Sequence, residues 1–178
     1  DAVIGLPANG LHTNGYSLAR RAIAAERWAD PLPSTGGTVG DALLAIHPCY
    51  LPQIRAVQAA GVAVHAMAHI TGGGLIDNVP RALPGNLAAR LDRSTWSVPA
   101  IARLIVREAN LGSDEAHRTL NMGVGFCVIV ARADADTALA AANAALAANP
   151  IAGAAEAGAT IIGEIEPRHA CGPAVVLS

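Results

Sequence analysis

Apolar positions follow two different periods along the chain, and the two kinds of segment alternate. Short apolar or alternating runs have the period of β-strands, whereas apolar residues three and four positions apart indicate helices. The pattern predicts strands at 3–6, 62–70, 86–92, 125–131, 160–165 and 174–177. It predicts helices at 16–28, 39–46, 51–60, 75–83, 99–109 and 134–149, with a further helix start at Ser113. About six strands interleaved with about six helices indicate one mixed α/β domain over residues 1–178.

Individual residues sharpen some of these boundaries. Ser17 has the side chain of an N-terminal cap for the first helix, while Pro52 and Gly61 have the properties expected at the two ends of the helix at 51–60. The run 125–131 is continuously apolar, which is typical of a strand covered on both faces.

Composition excludes several classes of function. The hydrophobic fraction is 52% and the aromatic fraction 3%, so we expect a core of Ala, Val, Leu and Ile. The net charge is −2 and no basic stripe is present, which argues against a nucleic-acid partner. All 12 cationic side chains are Arg, and the absence of Lys excludes a Schiff base, a phosphate-loop lysine and a lysine general base.

Cysteine usage and apolar run length bear on location. Cys49, Cys127 and Cys171 form no C-x-x-C pair, so we expect neither a disulfide framework nor a zinc site of paired thiols. Free cysteines are typical of a reducing compartment, and we therefore expect a cytoplasmic protein. No apolar run approaches the roughly 18 residues of a membrane span, and we expect no membrane partner. The chain begins directly in a strand-like run, which we interpret as part of a longer protein.

The segment 68–74, Ala-His-Ile-Thr-Gly-Gly-Gly, ends the alternating run and precedes a helical pattern. Consecutive glycines lose backbone entropy and supply no side chain, so packing does not explain them. Amides at the start of a helix are suited to bind a phosphate or carboxylate, which makes this turn a candidate anion site. A plain tight turn is the alternative interpretation.

Two further polar blocks are candidate ligand loops. His12, Thr13 and Asn14 lie in a turn-rich segment that leads into a helix, and capping and turn formation are the alternative. In the block 118–125, Arg118 could bind a phosphate or carboxylate, and a G-x-G sequence ahead of a buried strand permits close backbone approach. A bend with a surface arginine is the alternative there.

The four-residue spacing of His65 and His69 raises the question of a metal. On a strand this spacing separates two side chains by about 13 Å, whereas zinc–nitrogen bonds are about 2 Å long. We therefore expect no shared metal and predict no metal ligand in the chain.

Several of these blocks together resemble one enzyme family. The blocks are 10–20 (GLHTNGYSLAR), 68–74 (AHITGGG), 78–84 (NVPRALP), 94–96 (STW) and 118–125 (RTLNMGVG). In order and spacing they are similar to the C-terminal domain of phosphoribosylformylglycinamidine cyclo-ligase, the aminoimidazole ribonucleotide synthetase of purine biosynthesis. The resemblance covers nearly the whole chain.

The resemblance implies an α+β fold, a layered α/β/α domain with a mixed sheet of about six strands. It implies an N-terminal domain, outside this sequence, that carries most of the site for ATP and Mg²⁺ and the sheet that forms a homodimer. The whole protein would be a cytoplasmic, ATP-dependent ligase that forms a C–N bond, and residues 1–178 alone would be inactive.

The resemblance also implies a reaction and a set of site residues. ATP phosphorylates the formamide oxygen of formylglycinamidine ribonucleotide, the amidine nitrogen attacks, and phosphate leaves as the imidazole ring closes. Positioning and charge stabilisation would dominate this catalysis. His12 is the candidate catalytic residue. The candidate substrate- and phosphate-binding residues are Thr13, Asn14, Gly15, His69, Thr71, Gly72, Gly73, Gly74, Arg118, Asn121, Gly123 and Gly125.

Two features depart from the family pattern. Tyr50 is retained from a Pro-Thr-x-x-Tyr-x-Lys-Pro-like segment, but Pro52 stands where Lys is common, and Leu120 replaces the usual Phe. Contacts from 49–52 are therefore not assigned. Two other functions stay open: an ATP-using relative on the same fold (selenophosphate synthetase, a small-molecule kinase or a hydrogenase-maturation protein), or a non-catalytic binding or assembly module.

Overall fold

The computed structural model describes residues 1–154 and 157–178, and six strands form one mixed sheet within these ranges. The strands are β1 (Ala2–Pro7), β2 (Val64–His69), β3 (Leu87–Leu91), β4 (Val124–Val130), β5 (Thr160–Pro167) and β6 (Val175–Leu177). Their order across the sheet is β2-β4-β1-β5-β3-β6, and all neighbours are antiparallel except β3 and β6. The predicted strands and the mixed α+β fold are therefore confirmed.

Seven α-helices occupy the described ranges, against about six in the prediction. They are α1 (Tyr16–Ala22), α2 (Val39–Leu43), α3 (Leu51–Ala59), α4 (Gly74–Asn78), α5 (Ala100–Glu108), α6 (Ser113–Thr119) and α7 (Ala135–Ala148). Short 3-10 turns follow at Ala25–Arg27, Val79–Ala82, Arg93–Thr95 and Arg132–Asp134. None of the described helices combines the length and the apolar character that a membrane crossing requires.

Helices cover the sheet on both faces. Successive side chains of β1 point to opposite faces, so this strand contributes to both cores. Ile4 and Leu6 pack on one face, in a core shared with α3 and α7. Val3 packs on the other face, in a core shared with Leu75 of α4 and with Val79. Strand β4 contributes side chains to both cores, as its continuously apolar sequence predicts.

A third core lies between α1, α2, α5 and α6. Leu11, Ile101 and Leu120 are all buried in it. Since Leu11 belongs to the loop 8–15 and Leu120 to the loop 120–123, this core anchors two loops that carry predicted site residues.

The helix predicted at 16–28 is wrong in its second half. Ile23 adopts an extended conformation, and its carbonyl accepts a hydrogen bond from the Trp28 indole at 3.2 Å, so the chain leaves the helix there. The predicted Ser17 cap is also wrong. Gly15, in the left-handed conformation, precedes α1, and no side chain caps this helix.

The helix predicted at 39–46 is shorter and has a cap that was not predicted. Thr38 accepts a hydrogen bond from the Asp41 amide at 3.1 Å, and the Asp41 carboxylate accepts one from the Thr38 amide at 2.8 Å. This is a capping box. The helix ends at Leu43, and the chain continues through an irregular segment, 45–50, to α3.

Candidate functional site

The separate sequence blocks meet at one edge of the sheet. Strand β4 runs antiparallel to β1 and to β2, so the C-terminal ends of β1 and β2 lie beside the N-terminal end of β4. The loop after β1 carries His12, β2 ends at His69, and Gly125 is the second residue of β4. The strand order therefore assembles parts of three blocks that are far apart in sequence.

His12 is the most buried of the polar residues in the first block, with 4% of its surface exposed. Its φ of 60° lies in the left-handed region, which few residues other than glycine adopt. Burial, together with the nearby His47 and His69, lowers the pKa of His12 to about 3. At neutral pH His12 is therefore a neutral imidazole.

His47 and His69 complete a cluster of three imidazoles. The His12 ring stacks on His47 with 4.2 Å between centroids, and the Nε2 atoms of His47 and His69 lie 3.1 Å apart. Burial, followed by the proximity of His69, lowers the pKa of His47. Sequence reasoning missed His47, because it lies in the irregular segment where no periodicity indicates its neighbours. Its position three residues before the retained Tyr50 was the one available clue.

Tyr50 determines which nitrogen of His12 carries the proton. The Tyr50 hydroxyl lies 3.0 Å from the Pro7 carbonyl, which can only accept, and 3.3 Å from His12 Nε2. The single hydroxyl proton therefore goes to Pro7, and His12 Nε2–H donates to the Tyr50 oxygen. The Nδ1 atom of His12 then carries a lone pair, and it is buried without a hydrogen-bond partner among the described residues.

Gly125 makes room for this arrangement. A Cβ atom at this position would overlap both the Tyr50 hydroxyl and the His12 ring. Its carbonyl accepts a hydrogen bond from the Ile70 amide at 3.0 Å, which ties β4 to the chain just before the glycine turn. Gly125 thus acts through close approach, as the G-x-G pattern predicts.

The glycines of the turn have different roles. Gly72 is exposed, and the amides of Gly72 and Gly73 donate no hydrogen bond within the described part of the chain. Gly74 is buried, its amide donates to the Thr71 carbonyl at 2.9 Å, and a Cβ there would overlap the His117 carbonyl oxygen. The expectation that packing explains none of the three is therefore wrong for Gly74, which packs against α6.

Asn78 holds the turn from inside. Its side-chain amide donates to the carbonyls of Thr71, Gly72 and Gly74 at 3.3, 3.2 and 2.8 Å. The Thr71 hydroxyl in turn donates to Asn78 Oδ1 at 3.2 Å. With the carbonyls bound on one side, the free amides of Gly72 and Gly73 are left for a ligand. Asn78 appears in the motif 78–84, but its role was not predicted.

Arg118 lies beside the same turn. Its guanidinium is 2.8 Å from the carboxylate of Asp77 in α4, and both side chains are substantially exposed. The Asp77 side chain also lies against Gly73, where an added Cβ would meet it at 2.6 Å. The turn therefore carries one positive and one negative side chain, of which only Arg118 was predicted.

The loop that contains His12 and Asn14 contacts the end of α6, the helix that carries Arg118. The Asn14 side-chain amide donates to the Thr119 carbonyl at 2.9 Å, next to Arg118 in sequence, and Asn14 Oδ1 is buried without a partner in the described ranges. Thr13 is exposed. A Cβ at Gly15 would meet the Leu120 side chain at 2.8 Å.

Asn121 and Gly123 hold together the loops on which the site is built. Asn121 is 2% exposed; its amide donates to the Gly10 carbonyl at 2.7 Å and its Oδ1 accepts from the Gly123 amide at 3.0 Å. A Cβ at Gly123 would overlap the Ser97 carbonyl oxygen. Both polar ends of Asn121 are thus engaged within the chain, where they hold the loop that leads to His12.

Other features lie apart from this edge. His65 pairs with Asp1 at 2.8 Å rather than with His69. Two cavities of about 310 and 180 Å³ are lined by other residues, and of the predicted site only Gly123 borders one of them. The imidazole cluster and the glycine turn therefore lie outside these two cavities.

Residues 1–172 match the family described as AIR synthase related protein, C-terminal domain. Several curated proteins named phosphoribosylformylglycinamidine cyclo-ligase are also similar to the chain. The protein from Sorangium cellulosum (strain So ce56) is 45% identical over 145 residues, which make up 79% of this chain and 42% of that protein.

Two further relatives carry the same name. The protein from Thermoanaerobacter sp. (strain X514) is 42% identical over 142 residues, 78% of this chain and 42% of that protein. The protein from Pseudothermotoga lettingae is 41% identical over 140 residues, 78% of this chain and 41% of that protein. The chain spans about two fifths of the length of the curated relatives it matches.

Proposed function

The chain belongs to the family of AIR synthase related protein C-terminal domains, and we propose that it forms the C-terminal half of a phosphoribosylformylglycinamidine cyclo-ligase. The proposed reaction converts formylglycinamidine ribonucleotide to aminoimidazole ribonucleotide with ATP, in de novo purine biosynthesis. Identity of 41% to 45% with relatives of that name supports the proposal. The proposed location is the cytoplasm.

One observation carries the proposal: free backbone amides and an arginine surround a single exposed turn beside the imidazole cluster. The amides of Gly72 and Gly73 donate to no group among the described residues, whereas Asn78 binds the carbonyls of the turn. Arg118 is within reach of the same turn, because it pairs with Asp77. Backbone amides and a guanidinium are suited to a phosphate, and we assign this position to a phosphate of the substrate or of the nucleotide.

His12 contributes as a hydrogen-bond acceptor in this proposal. With a pKa of about 3, His12 is uncharged at neutral pH and is a weak base, and its one N–H already donates to Tyr50. Its Nδ1 lone pair can accept from the amidine N–H group and so orient the nitrogen that attacks the phosphorylated carbon. Phosphate leaves as the ring closes. Catalysis by positioning then needs no nucleophile from this chain.

Mg²⁺ does not fit the residues described here. Among them, the group of three or more side chains arranged to hold a metal consists of histidines, whereas Mg²⁺ prefers oxygen ligands in octahedral geometry. We therefore assign ATP and its Mg²⁺ mainly to an N-terminal domain, which is also the proposed partner of this chain and the proposed seat of homodimer formation.

A chimera tests the proposal. The C-terminal part of the Sorangium cellulosum protein is replaced by residues 1–178, and ADP release is measured with ATP and formylglycinamidine ribonucleotide. We expect substrate-dependent ADP release from the chimera and none from residues 1–178 alone. The chimera could fold and show no turnover, and calorimetry could detect no substrate binding to the chimera or to residues 1–178. These two results together would favour a non-catalytic module. Turnover by residues 1–178 alone would contradict the need for a second domain.

A further inference from the structure

Three imidazoles from three segments converge at the sheet edge. His12 comes from the loop after β1, His47 from the irregular segment before α3, and His69 from the end of β2. One ring nitrogen of each lies within 4.8 Å of the other two. The sequence predicts no metal ligand here, since only the spacing of His65 and His69 raises the question.

The nitrogen separations are close to those of a coordinated metal. Two nitrogens bound tetrahedrally at 2.0–2.1 Å lie about 3.3 Å apart. The Nε2 atoms of His47 and His69 are 3.1 Å apart and already satisfy this spacing. Two imidazole nitrogens that face each other at this distance either share one proton or both direct lone pairs at a cation. One ring nitrogen of His12 lies within 4.8 Å of a nitrogen of each of the other two histidines.

His12 has the protonation pattern of a metal ligand. Its Nε2–H is directed to Tyr50, whose own proton goes to Pro7, so the Nδ1 lone pair is fixed in place. This pattern, in which one ring nitrogen donates to a neighbour and the other binds the ion, is usual for metal-binding histidines. Nδ1 is buried and has no hydrogen-bond partner in the ranges the structure describes. A cation would satisfy it.

We propose that His12, His47 and His69 form a site for one divalent transition-metal ion such as Zn²⁺. Imidazole ligands select Zn²⁺, Co²⁺, Ni²⁺ or Cu²⁺ over Mg²⁺ and Ca²⁺. Three protein ligands leave a fourth position open to water, as in catalytic zinc sites. The His47 ring stacks on His12 and lies in a segment without helix or strand, so small rotations of this ring are compatible with binding.

The metal site does not depend on the cyclo-ligase proposal. It follows from imidazole geometry alone, and its test uses neither ATP nor the ribonucleotide. A metal on His12 would take the lone pair that the proposed function assigns to the amidine, so the metal and the substrate would compete for His12.

The test is a Co²⁺ titration of the untagged, metal-free chain followed by visible absorption. We expect one equivalent to produce the intense bands of tetrahedral Co²⁺, to be displaced by Zn²⁺ and to be unaffected by excess Mg²⁺. His47→Gln and His69→Gln should each weaken Co²⁺ binding at least tenfold. His65→Gln is the matched control on the same strand, because His65 pairs with Asp1, and it should leave the affinity unchanged.

Three outcomes overturn the proposal. The first is absence of a saturable one-equivalent site in the wild-type chain, a result that requires no variant to fold. The second is unchanged affinity in both His47→Gln and His69→Gln. The third is an equal loss in His65→Gln, which would indicate diffuse binding to surface histidines. Circular dichroism of each variant before titration establishes that its helices and strands are intact.

Discussion

The Arg118 guanidinium lies 2.8 Å from the Asp77 carboxylate, and this ion pair joins α6 to the helix that follows the glycine turn. The two side chains are 58% and 40% exposed, so the pair contributes at most about 1 kcal/mol to folding. So weak a pair leaves Arg118 able to contact a phosphate on the turn, whereas the charge of Asp77 opposes one. We therefore expect opposite effects on ligand binding from the two residues.

Replacement of Arg118 tests the favourable half of this relationship. We expect Arg118→Gln to weaken binding of formylglycinamidine ribonucleotide by roughly tenfold or more, because a hydrogen bond to a charged group contributes about 1.5–3 kcal/mol. The measurement is calorimetry on the wild-type and variant chains. Arg90→Gln is the control, since Arg90 pairs with Glu164 and Glu166 on the sheet. Equal affinity of the Arg118 variant and wild type would show that Arg118 does not bind a phosphate of this ribonucleotide.

Replacement of Asp77 tests the opposing half. Asp77→Asn removes one negative charge at almost constant volume, and we expect binding of the same ligand to tighten by roughly threefold at low salt. The gain should shrink as ionic strength rises, because the residue is exposed. Calorimetry at two salt concentrations measures both effects. Weaker binding in a variant of unchanged stability would show that Asp77 contacts the ligand favourably instead.

Gly72 and Gly74 should differ in how much they contribute to the stability of the folded chain. Gly74 has φ 57° and an added Cβ would overlap the His117 carbonyl oxygen, so Gly74→Ala should lower the free energy of unfolding by about 2 kcal/mol or more. Gly72 has open space around it, and Gly72→Ala should change stability by less than about 0.5 kcal/mol. Urea denaturation measures both. Similar losses in the two variants would contradict these different roles.

Asn121 should matter for stability more than its small exposed area suggests. Asn121→Ala leaves the Gly10 carbonyl and the Gly123 amide without their buried partner. Each unsatisfied group costs about 1–3 kcal/mol, so we expect a loss of about 2–4 kcal/mol in urea denaturation. A loss below about 1 kcal/mol would mean that water or a shifted loop replaces both bonds.

The sheet could be predicted because its strands follow local rules. The run 125–131 is apolar throughout and is buried between two helical layers, and the alternating run at 62–70 contains the edge strand β2. The failures have equally local causes. Ile23 leaves the first helix, and its carbonyl binds the Trp28 indole, a tertiary hydrogen bond that helical periodicity does not contain.

The candidate site was less predictable, because contacts between distant segments determine it. The blocks around His12 and the glycine turn were identified by their residue types, but His47 reaches the cluster from an irregular segment. The need for glycine at position 74 depends on a carbonyl of α6, some 40 residues later in the chain. Neither contact leaves a periodic pattern in the sequence.

His117 should make stability depend on pH. Burial lowers its pKa; Arg93 acts in the same direction, and the Ser113 carbonyl and Asp114 act in the opposite direction. The unfolded chain therefore takes up a proton more readily than the folded chain. The contribution of His117 to the free energy of unfolding is therefore fully present above the ordinary histidine pKa of about 6.5, and it is lost as the pH falls below that value.

His117→Gln should flatten this pH dependence while the other histidines contribute equally to both proteins. The measurement is the free energy of urea unfolding at several pH values between about 7.5 and 5, an interval that brackets the ordinary histidine pKa. We expect the difference in stability between wild type and variant to shrink as the pH falls, because only the wild type loses the contribution of a buried neutral imidazole. A difference that stays constant across this range would show that His117 titrates alike in the folded and unfolded chains, and burial in α6 would then have no effect on its protonation.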